Sequence, residues 1–351
     1  MTRALPHLIG FLLPPVIILG ATLGGGWTFL PVFVLYAGLP IADTLAGRTA
    51  HHPDADAVRA LEDEPAFRLV TWAWVPVQVA LLVWTLDWVT DPARTGLERA
   101  GIVFSMGSVA GAVGITFAHE LLHRPGRFER ALGDVLLAAV SYPHFAIEHV
   151  HGHHRHVGTP DDPATARLGE GYWSFLLRTL TGGLRHAWRV ETSRLRRSGR
   201  TAWAPANTML RYAVTMAVVC AIAWTAWGLT GVAVFFAQGL VAVMLLEGIN
   251  YVEHYGLVRH VADGRYERVS AFHSWDSRHR ASNWLLINLA RHADHHCVAS
   301  RRYPALATLD PAPQLPAGYG SMLLLALVPP LWRRVMDPRV AAARAARTGG
   351  I

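Results

Sequence analysis

Six apolar runs, each near the length of a lipid hydrocarbon core, constrain this chain more than any other feature. A membrane-spanning helix takes about 20 largely apolar residues, and such runs lie at residues 8–23, 27–41, 67–89, 101–122, 209–228 and 231–252. With 52% apolar and only 16% charged residues in 351, the composition suits a bilayer better than water. The expectation is an all-α integral membrane protein with six transmembrane helices in a single domain, residues 1–351. Gly24-Gly25-Gly26 between the first two runs and Leu229-Thr230 between the last two leave only enough chain for a reversal, so each pair is predicted antiparallel. Pro14, Pro15 and Pro76 are tolerable inside membrane helices whose neighbours satisfy the freed carbonyls. No small-residue cleavage pattern closes the first run, so it is expected to be retained rather than removed as a signal.

Charge placement predicts orientation. The sequence has no lysine, so its net charge of +7 is carried by arginine. Arginines crowd the segment after the fourth run and that after the sixth, while the turns after runs one and five have none. By the positive-inside rule, segments 123–208 and 253–351 and both termini are cytoplasmic, in a multi-pass protein of the cytoplasmic (inner) membrane. Residues 131–147 contain Asp134, Pro143 and His144 and are expected to form a helix that lies against the bundle or at the interface without crossing. Residues 322–332 are too short to span and hold Pro329-Pro330, which suggests an interfacial anchor followed by a frayed Arg/Ala tail. Arginine richness of this kind does not imply a nucleic-acid partner. Two cysteines far apart, Cys220 and Cys297, exclude a disulfide framework or an iron–sulfur site within the chain.

Histidines carry the chemistry. Of 19, eight fall between His119 and His156 and seven between His254 and His296, each cluster starting at the cytoplasmic end of a predicted span. His119 and His123, at i and i+4, face one point; His149 and His153 repeat that spacing with His154 beside them. His254, then His292, His295 and His296, complete nine imidazoles. Nine exceed one coordination sphere and so imply two metal ions. Imidazole suits iron, zinc, copper or nickel, and two irons fit a membrane oxidase best. Glu120, Glu148, Asn250, Glu253 and Asp294 adjoin these histidines and are placed to accept the second ring N–H. His119-Glu120-Leu121-Leu122-His123 alone also fits a zinc protease with Glu120 as base, but that leaves the other clusters without a task. His7, His51, His52, His186 and His260 are expected to be exposed or interfacial, and His144, His151, His156, His273 and His279 to play supporting or surface parts. Gly107, Gly111 and Gly114 form a small-residue stripe that points to close helix packing before a channel wall.

The four units HELLHR, EHVHGHHRHVGTPDDPATAR, NYVEHYGL and RHADHHCVASRRY, in that order, resemble those of the membrane-bound non-haem diiron alkane omega-hydroxylases, within the histidine-box desaturase and hydroxylase superfamily. The resemblance runs from the third span to Leu306. It implies that the nine histidines hold two irons and that, with O2 as co-substrate and two electrons supplied from outside, the chain hydroxylates the terminal methyl of an alkane. Arg124, Ala290, Ala293, Asp276 and the Cys297–Ser300 stretch depart from the family pattern without removing a ligand. Relatives sharing these boxes hydroxylate methyl groups on aromatic rings such as xylene, which is the second reading; a fatty acid desaturase or hydroxylase is a third. The chain has no flavin fingerprint, haem pattern or Cys cluster, so electrons must arrive from a partner. The resemblance implies a rubredoxin or a ferredoxin-type donor with its reductase, and Arg194, Arg196, Arg197, Arg301 and Arg302 form a candidate docking face for an acidic carrier.

Overall fold

The computed structural model describes residues 2–348 of the chain; Met1 and residues 349–351, the extreme ends of the expected single domain and cytoplasmic tail, lie outside them. Among the described residues the repeating structure is helical, apart from a two-residue-per-strand hairpin, β1 (Val261–Ala262) and β2 (Arg265–Tyr266). Five helical segments are long and apolar enough to cross a membrane: α1 (Arg3–Leu23), α2 (Gly25–Ala46), α4 (Pro65–Thr90), α5 (Gly96–Leu122) and α9 (Thr208–His254). Between and after them lie α3 (Ala55–Asp63), α6 (Arg127–Ala139), α7 (residues 145–156), α8 (Tyr172–Arg197), α10 (Arg280–Leu285), α11 (His292–Cys297), α12 (Tyr319–Ala326) and α13 (Pro329–Thr348).

Helix α9 contains both of the last two apolar runs. At 47 residues it would reach about 70 Å if straight, but Gly228 breaks it with φ 62° and ψ −160°. A Cβ on Gly231 would lie 3.1 Å from the carbonyl oxygen of Ala223, atoms that a straight helix holds about 12 Å apart along its axis. The chain therefore folds back on itself at Gly228, as the short Leu229-Thr230 link requires. The first pair closes in the same way: Gly24 has φ 71°, and a Cβ on Gly20 would meet the carbonyl oxygen of Trp27 at 2.5 Å.

Helix α5 is the centre of the bundle. Thr95 and Glu98 form a capping box at its start, and the Glu98 carboxylate also accepts from the backbone N–H of Gly25 at 3.0 Å, tying α5 to the α1–α2 turn. Its glycine stripe is a packing surface. A Cβ on Gly107 would meet Gln238 O and Val241 at 2.5–2.9 Å, one on Gly111 would meet Ala242 O at 2.9 Å, and one on Gly114 would meet the Gln78 side chain at 1.9 Å. Only glycine lets α9 and α4 approach this closely.

Two local expectations change. Residues 131–147 do not make one helix: α6 ends at Ala139, Ser141 adopts φ 56°, and α7 starts after Pro143, because proline cannot continue a helix and restricts the residue before it. The Arg/Ala tail is not frayed. It continues α13 to Thr348, where Arg344 donates to Gly256 O at 2.6 Å and Arg347 donates to Val258 O at 3.1 Å and pairs with Glu267, bonds that repay the ordering of long side chains.

Candidate metal centre

Four helix ends bring the histidines together: the last turns of α5 and α9, the whole of α7, and the short α11. The nine imidazoles resolve into two groups, one of His119, His123, His149, His154 and His295, the other of His153, His254, His292 and His296, with one ligand nitrogen from each member within 4.8 Å of the rest of its group. In the five-histidine group Nε2 of His154 lies 3.0 Å from Nε2 of both His149 and His295. In the four-histidine group the Nε2 separations are 3.3 Å for His153 and His296, 3.2 Å for His254 and His292, and 2.9 Å for His292 and His296. The groups abut, with the rings of His154 and His296 4.5 Å apart between centroids.

Spacing at i, i+4 would have put His149 and His153 in one group. The structure parts them because residues 148–153 are wound as a π-helix, whose wider turn aligns i with i+5. His149 therefore joins His154, and His153 faces the other group. A second π-turn, Ala110–Ile115, resets the face of α5 just before His119.

Nine imidazoles gathered this closely form groups that could hold metal ions. Burial and the neighbouring imidazoles push His123, His149, His154, His292, His295 and His296 well below the usual histidine range, so these rings are neutral and present lone pairs, the state a metal requires. Nε2 of His119 and of His123 are buried with no hydrogen-bond partner, a costly arrangement unless a cation occupies the space they face. His153 differs: burial works against its charged form, but the Asp162 carboxylate at 2.9 Å raises its pKa, and the same contact lowers that of Asp162.

The supporting carboxylates mostly do other work than expected. Glu120 pairs with Arg124 at 3.5 Å, Glu148 with His186 at 3.4 Å, and Asn250 donates to Glu247 at 3.0 Å. Asp294 takes Arg301 and the backbone N–H of Ala307. Of the five, Glu253 alone meets a grouped imidazole, His292, at 3.1 Å. The residues that hold Nδ1 atoms are instead Asp162, on His153, and the backbone carbonyl of His273, on His254 at 3.1 Å. Asp162 stands inside the GTPDDPATAR string, where an acidic pair just past three histidines was the available signal; the carbonyl had none. Asp276 accepts from the backbone N–H of Ala293 at 2.7 Å and so fixes the start of α11. His7 and His186, expected to be exposed or interfacial, are buried within the protein: His7 contacts Trp284 O at 3.3 Å, and His186 backs Glu148.

The arginine set divides as well. Arg194 is bound to Glu191, Arg301 to Asp294 and Arg302 in a two-pronged pair to Glu129 at 2.9 Å, whereas Arg196 and Arg197 are exposed.

Apolar space approaches the centre from the bundle. A cavity of about 540 Å³ between α2, α5, α9 and α12 shares Tyr36, Leu245 and Leu323 with a narrower one of about 50 Å³. The inner cavity is lined by Gly111, Leu285 and Thr116, and Thr116 is one turn before His119.

Comparison with known proteins agrees with this geometry. Residues 99–325 match the family model for fatty acid desaturases. The chain is 44% identical over 320 residues to alkane 1-monooxygenase 1 of Pseudomonas aeruginosa, covering 90% of this chain and 84% of that protein. It is 36% identical over 308 residues to alkane 1-monooxygenase of Acinetobacter baylyi, covering 88% and 75%. Similarity to the xylene/toluene monooxygenase hydroxylase component of Pseudomonas putida is 30% over 237 residues, covering 67% and 63%.

Proposed function

Since the chain belongs to the fatty acid desaturase family, as a membrane monooxygenase of the alkane 1-monooxygenase kind, we propose that it hydroxylates the terminal methyl group of alkanes, its nine histidines holding two irons. The observation that carries this reading is the division of nine imidazoles, seven of them buried, into two adjoining groups, with an apolar cavity reaching Thr116, one turn before His119. When bound, an iron pair supplies the reduction of O2 and the oxidation of the C–H bond.

The residues of the chain do the rest. His119, His123, His149, His154 and His295 hold one iron; His153, His254, His292 and His296 hold the other. Asp162 and the His273 carbonyl keep His153 and His254 in the tautomer that turns Nε2 inward. The apolar walls around Tyr36, Leu245 and Leu323 accept a hydrocarbon from the bilayer and exclude water from the reacting methyl group. Six membrane crossings, two of them within α9, set the centre at the cytoplasmic surface. A rubredoxin reaches it there, steered by Arg196 and Arg197, which form no ion pair with a carboxylate among the described residues.

Cells expressing the chain and fed octane, hexadecane and p-xylene, with products identified by mass spectrometry, test the substrate. Primary alcohols from the alkanes are expected; a 4-methylbenzyl alcohol product with untouched alkanes would move the activity to ring methyl groups. Metal analysis of active protein is expected to return two irons per chain, and one zinc without iron would overturn the iron assignment.

A further inference from the structure

The first limb of α9, residues 208–227, stands off the rest of the protein. Within it only Met209 and Ala223 are buried, whereas the limb after Gly228 buries Val234, Phe235, Gln238 and Ala242 in the bundle. The first limb is tied in at its start: the Glu191 carboxylate accepts from the backbone N–H of Thr208 at 2.6 Å, and the Tyr212 hydroxyl donates to Asp134 of α6 at 2.8 Å. From there toward the Gly228 turn a cavity of about 540 Å³ separates it from α4, walled by Val79, Val83 and Leu86 on one side and Val219, Ala223 and Trp227 on the other. This space shares no lining residue with the two cavities that approach the metal centre.

Spread over the roughly 28 Å of helix from Thr208 to Trp227, that volume averages about 20 Å² in section. A helix from a second chain, about 10 Å across before its side chains are trimmed to fit, is too wide for it. An extended hydrocarbon chain is not. The groove is charged at the end away from Gly228, where Asp134 and Arg211 border it. Neither forms an ion pair among the described residues, although burial raises the Asp134 pKa against the opposing pull of Tyr212, Arg130 and Arg211. Tyr212 takes up Asp134 Oδ1, and Arg211 gives one Nη2 hydrogen bond to Thr208 Oγ1 at 2.9 Å, which leaves Asp134 Oδ2 and most of the guanidinium free for a ligand. A purely anionic head would meet the Asp134 charge, and a purely cationic one would meet Arg130 and Arg211. A head with both signs satisfies both residues.

We propose that this groove holds a membrane lipid of the phosphatidylethanolamine class, its phosphate on Arg211, its primary ammonium on Asp134 Oδ2 and one acyl chain between α4 and α9. The lipid completes the packing that protein side chains leave unfinished along the fifth apolar run. Through Asp134 it also braces α6, the helix that leads into α7 and its grouped histidines. The assignment stands whatever the metal centre oxidises.

The full chain, purified in detergent and stripped of lipid, is titrated with phosphatidylethanolamine and with phosphatidylglycerol of the same acyl chains, and bound lipid is counted by native mass spectrometry. One phosphatidylethanolamine per chain is expected to bind about fivefold more tightly than phosphatidylglycerol, the yield of one partly exposed ion pair. Asp134→Asn should remove that preference, and Arg211→Gln should weaken both lipids. Val83→Trp, which fills the groove, should weaken both and keep the preference. A parent that binds neither lipid or prefers phosphatidylglycerol overturns the proposal, as does a preference that survives Asp134→Asn or binding that neither Arg211→Gln nor Val83→Trp weakens. A dimer in place of a lipid adduct would give the groove to a second copy and overturn it too. Phosphatidylethanolamine with a photoreactive group on its acyl chain needs only the parent, so it decides the matter even where a variant fails to accumulate: cross-links on residues 79–86 and 215–227 support the groove, and cross-links only elsewhere overturn it.

Discussion

Asp162 tests how far a residue that is not itself a grouped histidine acts on the centre. It is buried, accepts from Nδ1 of His153 at 2.9 Å and is itself held by Thr165 Oγ1 at 2.6 Å. Orienting partners of this kind are worth roughly 10- to 100-fold in metal affinity. Asp162→Asn keeps an acceptor but removes the charge, so chelator competition should find one of two metals held at least 10-fold more loosely, about the lower end of that range, and the other unchanged. Equal loosening of both, or of neither, would mean that the contact does not act through His153. Removing ligands gives the sharper contrast. His296→Ala should shed one metal per chain under a chelator that leaves the parent loaded, while His51→Ala, a member of neither group, should retain two. Nine grouped histidines were legible in the sequence because their spacing and box order are local properties. Their partition was not, since it depends on a π-turn over residues 148–153, and α- and π-winding share the same pattern of polar and apolar residues.

Among elements, α5 makes the strongest prediction. Its glycines meet α9 and α4 backbone-close, and Gly114 has the least room: a Cβ there would stand 1.9 Å from Gln78 Oε1, whose position is fixed by the Trp74 indole N–H at 2.8 Å. Gly114→Ala should cost about 1–3 kcal/mol through forced displacement of packed groups, read as a lower unfolding temperature in detergent. Gly26→Ala, which meets nothing within 4 Å, should stay within about 0.5 kcal/mol of the parent. A Gly114→Ala protein of unchanged stability would show that α4 can withdraw freely. The stripe was visible in the sequence as small residues at helical spacing, and packing was the reading it favoured. What the sequence hid is that Gly111 also borders the inner cavity; a residue can serve contact and space together, and composition does not separate the two. The order of α13 was hidden for another reason. Its anchors, Gly256 O and Val258 O, are backbone atoms some ninety residues away, which leave no trace in the local pattern.

At the scale of the whole molecule, the meeting of distant histidines bears on how many times the chain is expected to cross. His119 ends α5 and His254 ends α9, yet the ring of His254 lies 4.8 Å from that of His153, whose neighbour His154 shares a group with His119. Two points on one face of a membrane can be joined only by an even number of crossings. A single crossing by α9 would carry His254 to the opposite face, so α9 is expected to leave and return, with the reversal at Gly228 as its turning point. With that reversal Leu229, 79% exposed, is expected at the face opposite the metal centre, which the positive-inside rule predicts to be the face outside the cytoplasm. With Cys220 and Cys297 replaced by serine, Leu229→Cys should react with a membrane-impermeant thiol reagent added to the periplasmic side of spheroplasts, whereas a cysteine at exposed Arg197 should react only in inverted vesicles. Labelling of Leu229→Cys from the cytoplasmic side would reverse the orientation, and labelling of both positions from the same side would contradict the paired crossings of α9.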